Sequence, residues 1–173
     1  MPDNIKYNVP TLGAGQKTRQ QCWYASFKMI YNFKKFNTNQ IKDRLQKVID
    51  FDDAMKNGLY DTDYRKCGVA LELHQWKGSE FNQERGFFDV GMSDGGHALY
   101  KKLKKGPLWV SRYVKKGSYH ITVVVGYNDD KNGYFIYNNP FPGPDNAIEK
   151  KMDASIFARQ ITNAQGSVMR HGG

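Results

Sequence analysis

Cysteine is scarce in this chain of 173 residues. Two thiols, Cys22 and Cys67, are too few for the disulfide scaffold of a small secreted protein, and without a secretory signal both are expected to be reduced. Long apolar runs are missing as well. No stretch of about 18 apolar residues occurs, which excludes a hydrophobic helix spanning a membrane. Met1-Pro2-Asp3-Asn4 opens a polar stretch with neither the basic start nor the apolar core of a signal peptide, so the chain offers no export signal of its own. Acidic residues are in deficit, 17 against 26 Lys and Arg, for a formal net charge of +9. Such a balance raises nucleic acid and membrane surfaces as partners. The excess, however, is spread over both halves with no basic tail. The pairs Lys101-Lys102, Lys104-Lys105, Lys115-Lys116 and Lys150-Lys151 read as solvated helix or turn faces that together suit an acidic protein partner. Neither nucleic acid nor a membrane is expected. The length supports one well-cored domain over residues 1–173.

What is present centres on Gln16-Lys17-Thr18-Arg19-Gln20-Gln21-Cys22-Trp23-Tyr24-Ala25-Ser26. Trp23, Phe27, Ile30 and Phe33 keep helical spacing, which places Cys22 at or just before a helix N-terminus. Unpaired backbone N–H groups and the positive end of the helix favour a thiolate, so the Cys22 pKa is expected below its ordinary value of about 8.5. Gln16, upstream on the loop, carries an amide suited to an oxyanion beside the Cys22 N–H. The competing reading makes Cys22 a small buried hydrophobe next to a tryptophan.

A thiolate needs a base. Ser118 to Tyr127 is rich in β-branched residues and ends at Gly126 and the Asn128-to-Gly133 turn, so His120 heads a core strand. A hairpin returns Tyr134 to Tyr137 beside it, running into Asn138-Asn139-Pro140. An asparagine there fixes the imidazole tautomer and completes the set of nucleophile, base and orienter. Neighbours on a strand point to opposite faces, so only one of Asn138 and Asn139 takes that role.

Elsewhere the signals are plainer. Asn37-Thr38-Asn39 caps a second helix with Ile41, Leu45, Val48 and Ile49 on one face. A third helix is expected from about Asp63 to Gln75, carrying Cys67 and His74; a lone Cys and His do not make a zinc site, and no metal is expected. Residues 79–97 mix aromatic residues with glycine and read either as a substrate-facing loop or as a short strand through Phe87, Phe88 and Val90. His97 is the rival base, but it precedes a short helix, Ala98 to Lys105, rather than a Val-rich strand. Leu108 to Val114 forms a strand that returns as the His120 strand, so the sheet is antiparallel there. Asp153 to Gln160 suits one more helix, and Gln165 to Gly173 reads as a flexible end. The fold class is α+β, a helical half carrying Cys22 packed on an antiparallel sheet carrying His120 and Asn139.

The order Gln16, Cys22-Trp23 at a helix start, His120 opening a Val-rich strand and Asn139-Pro140 after the next strand resembles the papain-like cysteine peptidases. Within them it is most similar to the compact bacterial branch of double-glycine leader peptidases, plant-pathogen effector proteases and papain-like toxin domains. The resemblance covers about Gly13 to Gly143. It implies a papain-like fold with Gln16 as oxyanion glutamine, Cys22 as nucleophile, His120 as general base and Asn139 as orienter, with no cofactor. Many bacterial members carry Asp-Pro where this chain has Asn139-Pro140. A toxin or effector protease is implied, made in the bacterial cytoplasm, delivered by a secretion system into a target cell and matched by an immunity protein over its cleft. Cleavage after a Gly-Gly pair is implied too, with Trp23, Trp109 or Tyr119 as walls that exclude side chains. Two other readings remain: a glutamine deamidase or transglutaminase with the same triad, and a non-enzymatic basic binding module.

Overall fold

In the computed structural model, which describes residues 3–11, 13–83, 92–115, 117–142 and 147–172, helices cover both faces of a seven-stranded sheet. The strands are β1 (Ile5–Lys6), β2 (Leu73–Lys77), β3 (Leu108–Lys115), β4 (Ser118–Asn128), β5 (Tyr134–Pro142), β6 (Ala147–Asp153) and β7 (Gln165–His171). Their order is β2-β7-β3-β4-β5-β6, with β1 pairing β4, and every pairing is antiparallel. The helices are α1 (Cys22–Phe33), α2 (Asn39–Leu45), α3 (Phe51–Asn57), α4 (Tyr64–Ala70), α5 (Asp94–Leu103) and α6 (Ala154–Arg159).

The valine run of β4 follows from burial on both faces, which removes the alternation of a half-exposed strand. Ile121, Val123 and Val125 join Trp23, Phe27 and Ile30 of α1 in one core, together with Leu45, Phe51 and Tyr64. Val124 and Tyr127 join Leu99 and Leu103 of α5 and Phe157 of α6 in a second core on the other face. A bulge between Val124 and Gly126 resets the alternation. Gly126 also lets β1 lie close, since a Cβ there would stand 2.6 Å from the Ile5 carbonyl oxygen.

The α+β class expected from the sequence is what the chain adopts, but several element boundaries differ. The expected helix over Asp63 to Gln75 is two elements: α4 stops at Ala70, Glu72 turns the chain at φ 57°, and His74 lies on β2. The second helix stops at Leu45, leaving Val48 half-exposed, and Asp50 caps α3 by accepting from the Asp53 N–H at 3.0 Å. The last helix before β3 begins earlier than expected, at Asp94, because the Ser93 hydroxyl accepts from the Gly96 N–H. Phe87, Phe88 and Val90 lie outside the described residues.

The largest correction concerns the segment read as a flexible end. Gln165 to His171 is β7, paired to β2 on one side and to β3 on the other. Its polar composition hid it. Ser167 is buried against the Thr162 hydroxyl at 2.7 Å, and Arg170 donates to the Lys105 carbonyl at 2.9 Å, so burial there is paired with hydrogen bonds rather than signalled by apolar residues. β6 was also unseen, because Glu149, Lys150 and Lys151 suit an edge strand rather than a core one. A chain stopped after Asn163 leaves β2 and β3 unpaired where β7 should lie. It is expected to lose cooperative thermal unfolding by circular dichroism; a full-length-like transition would show that the sheet closes without β7.

Candidate active site

Cys22 is the first residue of α1, reached through a 3-10 turn at Arg19–Gln21. No side chain caps the helix, and no acidic residue stands in its first turn, which leaves the leading N–H groups for whatever anion forms there. Two indoles seat this turn. Trp23 Nε1–H donates to the Ala54 carbonyl of α3 at 3.2 Å, and Trp109 Nε1–H of β3 donates to the Trp23 carbonyl at 3.1 Å. Phe27 stacks on the Trp109 ring at 5.0 Å, and the Ser26 hydroxyl donates to the Ile121 carbonyl at 3.3 Å. Cys22 and Ile121, the residue after His120, therefore line the same cavity.

The electrostatics at Cys22 run against the sequence expectation. Burial pushes the thiol up to about 11, while hydrogen bonds from the backbone at Ile121, Trp23 and Cys22 pull it down by less. Desolvation outweighs the helix terminus, so the resting group is a thiol.

His120 lies on β4, where its ring nitrogen Nε2 stands 2.7 Å from Asn139 Oδ1. That oxygen also accepts from the Phe141 N–H at 3.1 Å, which turns the amide carbonyl toward the imidazole and makes Nε2 the protonated nitrogen. Nδ1 is then the acceptor. Asn139, not Asn138, makes this contact; Asn138 is buried opposite Val123. Burial lowers the His120 pKa most, the Asn139 bond raises it, and the Arg112 guanidinium lowers it further. Arg112 escaped the sequence reading. It faces His120 in the β3–β4 register, is nearly fully buried, donates to Gln160 Oε1 at 2.8 Å, and lies over the rings of Tyr137 and Phe157. A single cation inside Leu108-Trp109-Val110-Ser111-Arg112-Tyr113-Val114 was the available signal.

Gln16 is buried, with its backbone N–H donating to the Pro140 carbonyl at 3.2 Å, which ties the loop to β5 beside Asn139. Its Nε2 donates to the Thr18 carbonyl at 2.9 Å, and its Oε1 is buried with no hydrogen-bond partner among the described residues. Gln16 and His120 line a cavity of about 330 Å³, and Cys22 and Trp23 an adjoining one of about 360 Å³. Arg19, Ser118 and Tyr119 line both, so the two form one cleft divided at Tyr119. Trp109 is not a wall of it; the ring is fully buried in the core. His97 sits on α5, on the opposite face of the sheet from α1, and His74 on β2. Among the described residues no three His, Cys, Asp or Glu side chains gather as metal ligands.

A thiol at a helix start, set against an antiparallel sheet whose histidine is bonded to an asparagine, is the arrangement of the papain-like class. The model of the family described as papain-like cysteine protease AvrRpt2 matches residues 3–158, and the chain belongs to that family. It is thus a papain-like cysteine peptidase of the effector type, a hydrolase acting on protein. No curated protein matches the chain.

Cys22→Ala and His120→Ala are each expected to abolish peptidase activity, with the double variant no worse, because nucleophile and base act as a unit. Asn139→Ala should cost more than Asn138→Ala once folding is matched by thermal melts; the reverse order would move the orienter by one position. Alkylation of Cys22 by iodoacetamide consumes the thiolate, which at pH 7 is only about one part in 10⁴ of a thiol with a pKa of about 11. The rate should therefore climb about tenfold per pH unit from pH 7 through pH 10. A plateau below pH 8 would mean a pre-formed thiolate.

Proposed function

We propose that this chain is an effector protease that cleaves a protein of a target cell through Cys22, His120, Asn139 and Gln16. The observation that carries the reading is the 2.7 Å contact of His120 Nε2 with Asn139 Oδ1, on a strand whose next residue, Ile121, lines a cavity together with Cys22. In this mechanism His120 Nδ1 takes the Sγ proton as the sulfur attacks the substrate carbonyl, forming the C–S bond. The Cys22 N–H and the Gln16 amide hold the oxyanion. The imidazolium then protonates the leaving nitrogen, the C–N bond breaks, and a thioester remains. Water, deprotonated by His120, attacks that thioester and restores the thiol. Because the thiol is held up and the imidazole down, proton transfer accompanies attack rather than preceding it. A neutral His120 is needed, so the acid limb of kcat/KM falls below the ordinary histidine value of about 6.5.

The finer parts of the reading concern setting and specificity. The peptidase acts as a toxin, made in a bacterial cytoplasm, delivered by a secretion system and held in check at home by an immunity protein that covers the cleft. Its scissile bond follows a Gly-Gly pair, with Tyr119, which stands between the two cavities, excluding side chains from the narrow point.

The test is expression of the wild-type and Cys22→Ala chains in a bacterium, with growth measured and new protein termini mapped across the proteome. Growth arrest and new termini after Gly-Gly are expected with wild type alone. Toxicity surviving Cys22→Ala would end the cysteine-enzyme reading, a mass shift of about one dalton without new termini would replace hydrolysis by deamidation, and cuts scattered after large residues would remove the Gly-Gly specificity.

A further inference from the structure

Two cations of the cleft form no ion pair with the described residues. Arg19 lines both the Cys22 and the His120 cavities, and Lys115 lines the latter. Among the described residues no carboxylate lines either cavity, and neither cation forms an ion pair with a described residue. Asp61, next to Tyr60 at the rim, lines a separate cavity with Arg65, and its charge is felt at Tyr119 but it pairs with neither Arg19 nor Lys115. Placement makes these charges selective. Arg19 sits on the short turn that runs directly into Cys22, so its position is tied to the nucleophile. Lys115 ends β3 opposite Ser118, close to His120, so the cations approach the cleft from the helical and the sheet side of Tyr119. The remaining lining mixes neutral polar groups, Gln16, Gln20, Asn57 and Ser118, with Tyr119, Val114 and Phe141, each about half exposed. Like charges converging on a concave cleft focus their field there, which strengthens the pull of both cations on an anion.

We propose that the substrate segment is acidic, with an Asp or Glu side chain within two residues of the scissile bond seated between Arg19 and Lys115. This rests on the assignment of Cys22 and His120 as the reacting pair. The carboxylate brings the segment to the cleft at low salt and sets its register, and a basic residue at the same position is repelled.

The test digests a mixed peptide library from a bacterial proteome with the full-length chain, reading cut sites by mass spectrometry. Cys22→Ala serves as the blank, and an Arg19→Glu, Lys115→Glu double variant as the comparison. Both side chains are exposed, and thermal melts confirm that the variant folds. The expected result is that Cys22-dependent cuts by wild type are enriched in Asp and Glu within two residues. On one such peptide, replacing the acid by Lys should lower kcat/KM on the order of tenfold, and the double variant should reverse that preference. Cys22-dependent cuts without acidic enrichment overturn this inference and leave the protease reading standing. The absence of any Cys22-dependent cut overturns both.

Discussion

The docking of the first turn of α1 onto β3 and β4 is the constraint on which the cleft depends. Trp109 reaches from the sheet to the Trp23 carbonyl, while Trp23 reaches back to α3, so the turn is gripped from both sides by donors that have no water to turn to. A buried indole N–H left without an acceptor costs on the order of 1–3 kcal/mol, which fixes where the turn sits. Cys22 lines the cleft together with Ile121 because of that seat. Phe27 against Trp109 and Ser26 against Ile121 extend the same contact down the helix, and a change at Trp109 would disturb the site without touching a reacting atom.

The environment so built is dry, and dryness decides its electrostatics. Burial raises an acid that must ionise and lowers a base that must protonate, and both effects act here, on Cys22 and on His120. Burial therefore favours the neutral form of each group. Arg112 adds to this from across the β3–β4 register, since a buried cation disfavours a second positive charge on His120. The Asn139 oxygen opposes it by favouring the imidazolium, and it is held for that role by the Phe141 N–H.

The helix start, the β3–β4–β5 meander and the polar residues along them were legible because each rests on local pattern. Trp23, Phe27 and Ile30 repeat at helical spacing, and the valines of β4 sit between clear turns. The elements that stayed hidden depend on partners far away in the chain. β7 shows little apolar alternation, and its buried Ser167 and Arg170 are hydrogen-bonded to Thr162 and Lys105, contacts that no local pattern announces. Leu73 to Lys77 continued a plausible helical stripe, yet Glu72 in a left-handed turn and the waiting edge of β7 made it a strand. Within the site, the residue types were readable while the depth of burial was not. The thiol was expected to be acidic for that reason, because a helix terminus is visible in sequence and desolvation is not.

β7 also sets an order of events in time. It follows every other element along the chain, and its partners β2 and β3 are made long before it. Pairings between distant segments are slow to form, and until this one forms the strand carrying Trp109 lacks its flanking neighbour Met169. A chain emerging amino end first, from a ribosome or through a narrow conduit, presents Cys22 and His120 early and the strand that steadies them last. Maturation of the cleft is thereby coupled to emergence of the chain through His171, and a molecule that has emerged only partway to it is a peptidase in composition before it is one in shape.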